Sequence, residues 1–306
     1  MDTRILVTGA NGFVGYHLVR ELLARGAEVL ATGRGPCRIE TAGLSGFRYA
    51  PLDFTDPFAV YDLFEAYRPA LVIHAGAMGR PDDCELHPWD CHVVNVEGTL
   101  HLLANAEDLG SFFVFVSTDL VFDGQYGMYR EEDLPGPVNV YGRSKRDAEE
   151  AVQQYAGDWA IIRTVLVYGR PVPGKPQFLF TMKEKLENGE TYRVVDDQFR
   201  TPTYVGDLVH GMISLLDRRA TGIYHLAGSD LLTPFDMAWQ AADMLKLDTR
   251  LLQRVNTADI GHAARRPART GLVLEKARRD LDYRPVSFAE GLRKTFGNRN
   301  DRQAGG

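Results

Sequence analysis

Tyr141 and Lys145 stand four residues apart in the run Tyr141-Gly142-Arg143-Ser144-Lys145. On a helix, residues at i and i+4 share a face, so the phenol and the ammonium lie together. A nearby ammonium favours the phenolate and lowers the phenol's pKa. Such a pair can exchange a proton with a substrate oxygen near neutral pH. The spacing alone is weak evidence, because many helices contain it by chance. Its context is stronger. Upstream runs an apolar strand, 112–116, that ends in Ser117-Thr118-Asp119. Strand ends in parallel sheets face the ligand crevice, so a hydroxyl at Thr118 can bond the same oxygen.

A second constellation opens the chain. Thr8-Gly9-Ala10-Asn11-Gly12-Phe13-Val14-Gly15 lies between a predicted strand and a predicted helix, with its glycines at spacing three and three. Gly9 permits the tight turn off the strand. Gly12 lets backbone approach a pyrophosphate, and Gly15 lets the helix pack close to the sheet. The helix N-terminus offers free N–H groups and a positive dipole end to the phosphates. At the end of the second strand an acidic residue would bind a ribose 2′-hydroxyl. Gly33-Arg34 stands there instead. No carboxylate repels a 2′-phosphate, and Arg34 can pair with one in a fork geometry, which points to NADP.

These residues need elements to position them. The first half alternates apolar runs (5–7, 28–32, 47–52, 70–74, 112–117, 159–165) with helical patterns (14–23, 58–67, 93–109, 141–155). That alternation predicts an α/β fold, a Rossmann-like doubly wound parallel sheet with helices on both sides. Helices are also expected at 178–188, 206–217, 234–245 and 288–296, with strand pieces at 192–195 and 223–226. The cofactor domain is expected over 1–165 plus about 204–230. A smaller C-terminal substrate domain then takes 166–203 and 231–297, and 298–306 is a polar tail. The 306 residues carry 41 acidic and 35 basic side chains, a net charge of −6, which disfavours nucleic acid as a partner. No apolar run is long enough to cross a membrane, and the start has no signal-peptide pattern. Cys37, Cys84 and Cys91 are few and odd in number, which excludes a disulfide framework, and they lack zinc-ligand spacing. A reducing cytoplasm fits best.

Taken together, these segments resemble the extended short-chain dehydrogenases/reductases, in the branch that contains dTDP-4-dehydrorhamnose reductase. The resemblance runs over roughly residues 4–296. It is carried by Thr8 to Gly15, Leu52-Asp53-Phe54, His74-Ala75-Gly76-Ala77 and Val94-Asn95-Val96-Glu97-Gly98-Thr99. Further on come Ser117-Thr118-Asp119-Leu120-Val121-Phe122-Asp123-Gly124, Tyr129 to Asp133, Asn139 to Lys145 and Pro202-Thr203-Tyr204-Val205. The resemblance implies that Gly9, Asn11, Gly12, Phe13 and Val14 line the pyrophosphate and that Asp53 and Phe54 meet the adenine. Ala75, Gly76, Ala77, Asn95, Ser117, Thr164 and Val165 would complete the cofactor site. Tyr141 would be the proton donor. Lys145 would tune it and hold the nicotinamide ribose, and Thr118 would position the keto oxygen. Met78, Asp119, Val121 and Phe122 would face the sugar. Arg200 and Arg266 would face the diphosphate of a nucleotide sugar, where bidentate pairing suits arginine.

Three chemistries share this scaffold, so fold alone does not choose among them. Related 4,6-dehydratases carry Thr-Asp-Glu at the strand end, and Leu120 can do neither acid nor base work. Related 4-epimerases favour an acidic residue near position 33 and small residues at the strand end, and Gly33-Arg34 and Asp119 both disagree. Reduction remains: NADPH gives hydride to C4 of a 4-keto-6-deoxy sugar nucleotide and Tyr141 gives the proton, without a metal. An NAD-dependent epimerase and a cofactor-binding regulatory subunit are the alternatives. One departure concerns the sugar pocket, since family reductases often carry Trp after the Arg-Thr pair, where this chain reads Arg163-Thr164-Val165-Leu166. The resemblance also implies a homodimer through the helices at 93–109 and 141–155. Several tempting residues have blander readings. His74 is expected to pack beneath the cofactor, and Asp82, Asp83, Cys84, Glu85 and His87 to cap and solvate a helix start. Glu131, Glu132 and Asp133 are expected to form a solvated acidic turn, Trp89 and Trp239 to pack, and Asp207 to cap its helix.

Overall fold

Strands such as Ile5–Thr8 and Leu71–His74, three apolar residues and a polar end, are buried at every position, as strands covered on both faces must be. In the computed structural model, which describes residues 4–40, 43 and 45–297, they become the centre of a large sheet. The polar tail expected at 298–306 lies outside the described residues. In chain order the first half runs β1 (Ile5–Thr8), α1 (Phe13–Ala24), β2 (Val29–Gly33), β3 (Phe47–Pro51), α2 (Pro57–Tyr67) and β4 (Leu71–His74). It continues with α3 (Pro81–Leu86), α4 (Pro88–His92), a π-helical turn (Val93–Glu97), α5 (Gly98–Leu109), β5 (Phe112–Thr118), a 3₁₀ turn (Asp119–Val121), α6 (Val140–Gln153) and β6 (Trp159–Thr164). Then follow β7 (Val167–Tyr168), α7 (Phe178–Glu187), β8 (Tyr192–Val195), β9 (Thr203–Tyr204), α8 (Val205–Asp217) and β10 (Gly222–His225). The chain closes through α9 (Pro234–Met244), β11 (Leu252–Val255), α10 (Thr257–Ile260), α11 (Glu275–Leu281) and α12 (Phe288–Phe296).

The seven-stranded sheet has the order β3-β2-β1-β4-β5-β6-β10 and is parallel throughout, a Rossmann-like doubly wound arrangement. Alternate residues of each strand feed opposite faces. Val7, Ile73, Val114 and Ile162 pack with Leu18 and Val19 of α1 and Leu208 and Met212 of α8. Leu6, Val72, Phe113 and Ile161 pack instead with Phe64 of α2, Leu102 of α5 and Ala148 of α6. A third apolar cluster joins Met182 of α7, Val194 of β8, Ala238 of α9, Leu252 of β11 and Leu292 of α12.

Because the strands are parallel and in register, their C-terminal ends form one edge. Thr8 pairs with His74, Gly33 with Pro51, His74 with Phe115 and Thr118 with Thr164. Every loop that carries a candidate residue from the first half leaves this edge. Helix α6 is fastened beneath it by an ion pair. Arg163 of β6, fully buried, donates to Glu149 of α6 from Nη2 at 2.7 Å and from Nε at 3.0 Å.

The helix expected at 93–109 is not one α-helix. Its first turn is the π turn, which shifts the ladder by one residue and turns Asn95 inward. Elements the sequence pattern does not announce are short: the two-residue pair β7·β9, β11, α10 and α11 offer too few residues for periodicity to register.

Candidate active site

Tyr141 sits in the first turn of α6, half-buried, one helical turn before Lys145. Its phenol is not lowered as the Lys145 spacing predicts: burial and the neighbouring Asp119 carboxyl push it up, and the Thr118 hydroxyl pulls the other way. Lys145 is buried, and its Nζ lies 3.8 Å over the Phe115 ring. Burial lowers its pKa to about 7, against the opposing pull of Glu149 and Cys91. Among the described residues its ammonium has no hydrogen-bond or ion-pair partner. Thr118 ends β5. Its Oγ accepts from the Leu120 amide at 3.2 Å and donates to Asp119 Oδ1 at 3.1 Å.

The glycine loop fits a pyrophosphate. Gly9 has φ +69°, and a Cβ there would lie 2.5 Å from the Gly76 nitrogen. Only glycine lets this loop meet the end of β4. Helix α1 starts at Phe13 with no side-chain cap on its first turn, leaving the amides of that turn for an anion. Ala75, Gly76 and Ala77 follow β4 at the same edge. The Phe54 ring packs so closely on Gly76 that a Cβ there would approach it to 2.6 Å. Asp53 is exposed and holds the Thr55 amide and hydroxyl. Ser117 Oγ is buried without a hydrogen-bond partner among the described residues, an orphaned polar atom at the strand edge. Thr164 is buried and donates to Thr203 Oγ1 at 3.3 Å, and Val165 is fully buried beside it. Asn11 does something the sequence did not announce. Its Nδ2 donates to the Pro36 carbonyl at 3.0 Å and to Tyr49 Oη at 2.9 Å, and its Oδ1 accepts from the Arg38 amide. It builds the loop that displays Arg34, whose side chain is exposed.

On the substrate side, Asn95 fixes Met78 at both backbone groups, accepting from its amide at 2.8 Å and donating to its carbonyl at 3.2 Å. Asp119 is buried, and burial raises its carboxyl pKa. Both its oxygens are engaged, one by Thr118 and the other by the Thr270 hydroxyl, with Arg200 Nε at 3.9 Å. Arg200 spends its guanidinium on the Pro267, Phe199 and Ala268 carbonyls. Arg266 donates to Asp82 at 2.7 Å.

The family described as RmlD substrate binding domain matches residues 3–300. The chain belongs to this family. It is 31% identical over 299 residues to the spore coat polysaccharide biosynthesis protein SpsK of Bacillus subtilis, covering 97% of this chain and 98% of that one. It is also 30% identical over 299 residues to the methionine adenosyltransferase 2 subunit beta of Xenopus tropicalis, covering 96% and 87%. Among solved structures it resembles the dTDP-4-dehydrorhamnose reductase of Bacillus anthracis in complex with NADP, with a TM-score of 0.86, 27% identity and 97% and 99% coverage.

Within this RmlD-family fold some expectations need correction. Val121 and Phe122 are fully buried, and Phe122 stacks on Tyr129 at 4.2 Å. With no exposed surface, neither side chain faces a sugar as expected. Glu131 is no solvated residue. It is buried and accepts from the His225 amide. Trp89 and Trp239 are 69% and 46% exposed, so neither packs in the core, and Trp89 stacks on His92 at the surface. Asp207 caps nothing; it accepts from the Val286 amide. Asp82 holds the Ala264 amide and Arg266 across the fold, and Glu85 accepts from the Val140 amide. His74 packs beneath the edge, with Nδ1 against Thr8 Oγ1 and Nε2 against Thr99 Oγ1. Sequence reasoning missed Asn139, Ser144 and Thr270. An Asn three residues before an amide-bearing Gly142 was a readable cap signal. Thr270 lies 151 residues from Asp119 and offered no local signal.

Proposed function

We propose that this protein is an NADPH-dependent reductase of a 4-keto-6-deoxy sugar nucleotide. The observation that carries the reading is the grouping of Thr118, Tyr141 and Lys145 at the edge of the sheet that also carries the glycine loop. When bound, NADPH supplies hydride to the carbonyl carbon. Tyr141 donates a proton from Oη to the carbonyl oxygen, and Thr118 orients that oxygen by hydrogen bonding. Lys145 holds the nicotinamide ribose hydroxyls and, once charged, eases proton loss from Tyr141. The first-turn amides of α1 take the pyrophosphate, and Arg34 takes the 2′-phosphate. Leu120 supplies no acid or base for dehydration. The likeness to B. anthracis dTDP-4-dehydrorhamnose reductase supports the substrate class, and the likeness to SpsK supports a place in polysaccharide biosynthesis.

The likeness to a methionine adenosyltransferase subunit favours a second reading, a non-catalytic cofactor-binding regulatory subunit. NADPH and NADH consumption, followed in parallel with a dTDP-4-keto-6-deoxy sugar, separates the two. Consumption that requires the sugar and prefers NADPH supports the reductase. Cofactor binding without consumption supports the subunit.

A further inference from the structure

The first turn of a helix has no backbone partners of its own, so whatever holds that turn of α6 holds Tyr141. The Val140 amide donates to Glu85 Oε2 at 3.0 Å. Ser144 Oγ donates to the Tyr141 carbonyl at 2.8 Å and accepts from Asn95 at 2.9 Å. Asn139 is the cap, and its Oδ1 accepts from the Gly142 amide at 2.8 Å. Capping alone asks only for an acceptor, which Ser or Asp supplies as well. Asn139 has a second arm. Fully buried, it donates from Nδ2 to the Arg265 carbonyl at 2.8 Å, 126 residues further along the chain.

The segment that receives this arm is tied elsewhere. Asp82 Oδ1 accepts from the Ala264 amide at 2.9 Å, and its Oδ2 meets Arg266 at 2.7 Å and His262 at 3.2 Å. Burial alone would raise the Asp82 carboxyl, but the Ala264 amide, Arg266 and His262 outweigh it and hold it below its ordinary range. Asp82 and Glu85 sit one turn apart on α3 and share a face. Three pieces therefore close a ring. Helix α3 grips the segment through Asp82 and α6 through Glu85, and Asn139 joins the segment to α6.

We propose that Asn139 is a positioning residue, which passes the occupancy of the segment 262–266 by a diphosphate to the turn that carries Tyr141. This rests on the reductase reading above and on the family resemblance, which implies that Arg266, here paired with Asp82, faces the diphosphate of the nucleotide sugar. Binding energy at the remote, unreacting end of the substrate is thereby used to orient the proton donor.

Asn139→Ser keeps the cap and removes the arm. Its fold and NADPH affinity should match wild type, with kcat lower by about ten-fold and KM changed by less than about three-fold. Asn139→Asp, which also caps but cannot donate to the Arg265 carbonyl, should lose at least as much. Exchange of the Gly142 and Arg143 amides should slow in wild type on adding dTDP, and should not slow in Asn139→Ser. A residue that only caps would leave both variants at wild-type kcat and would slow exchange equally in all three proteins. Either result overturns the proposal, as does wild-type exchange that ignores dTDP. If dTDP slows exchange in wild type alone while the keto sugar drives no NADPH consumption, the coupling stands and the reductase reading falls.

Discussion

At the scale of single residues, the proposed reduction takes its proton from Tyr141 and its tuning charge from Lys145. Tyr141→Phe removes one hydroxyl and leaves the ring in place. Turnover should fall by about 10²-fold or more while NADPH affinity holds, because a general acid contributes on that order. Full activity in this variant would remove Tyr141 from the mechanism. Lys145 makes a pH prediction for the cofactor-free protein. Burial holds its pKa near 7, against an ordinary 10.5. Between those values the unfolded chain binds more protons than the folded one, so this group's contribution to stability rises with pH. The penalty of a buried ammonium is complete below about pH 7 and is relieved above it. Lys145→Met should therefore exceed wild type in thermal midpoint by most at low pH, and the gap should narrow as pH rises through about 7 to 10. A gap independent of pH would show that Lys145 is not so perturbed. Arg34→Ala should weaken NADPH much more than NADH in equilibrium binding, and equal weakening would remove Arg34 from the 2′-phosphate.

At the scale of elements, α6 must stay on β5 and β6 for any of this chemistry. Two features enforce that. A Cβ on Gly142 would lie 2.1 Å from the Leu120 carbonyl oxygen, so the helix meets the strand end closer than any larger residue permits. Arg163 and Glu149 form a buried ion pair between β6 and α6. Arg163→Leu leaves the Glu149 carboxylate buried without its partner and should cost about 3–5 kcal/mol, read from urea unfolding. Replacing both, with Arg163→Met and Glu149→Leu, should recover much of that loss. The strands and long helices were legible in the sequence because each carries a full period of apolar residues, as 112–117 and 206–217 do. The glycine loop and the Tyr141–Lys145 pair were legible for the same reason: their chemistry is local. What stayed hidden joins distant segments. Asp119 with Thr270, Asp82 with Arg266 and Asn139 with Arg265 are each more than 120 residues apart. Phe122 is covered by Tyr129 and Arg163, which no spacing rule connects to it.

At the scale of the whole molecule, the C-terminal edge of one parallel sheet gathers residues from 8 to 164, and the segments at 198–204 and 262–272 reach back to it. No helix among the described residues is long and apolar enough to cross a membrane. Leu100 on α5 is 46% exposed, and Phe58 and Tyr61 on α2 are 79% and 54% exposed. A homodimer through α5 and α6 would cover Leu100. Sedimentation should then give twice the chain mass, and Leu100→Glu should shift the protein to one chain; a monomeric wild type would contradict the dimer. The central claim is hydride transfer from NADPH to C4 of a keto sugar. Its most direct test uses NADPH deuterated at the transferring position, with a dTDP-4-keto-6-deoxy sugar made in situ, and NMR of the product. One deuterium on sugar C4 for each NADPH consumed is the expected result. A product without deuterium at C4, or no NADPH consumption at all, would contradict it.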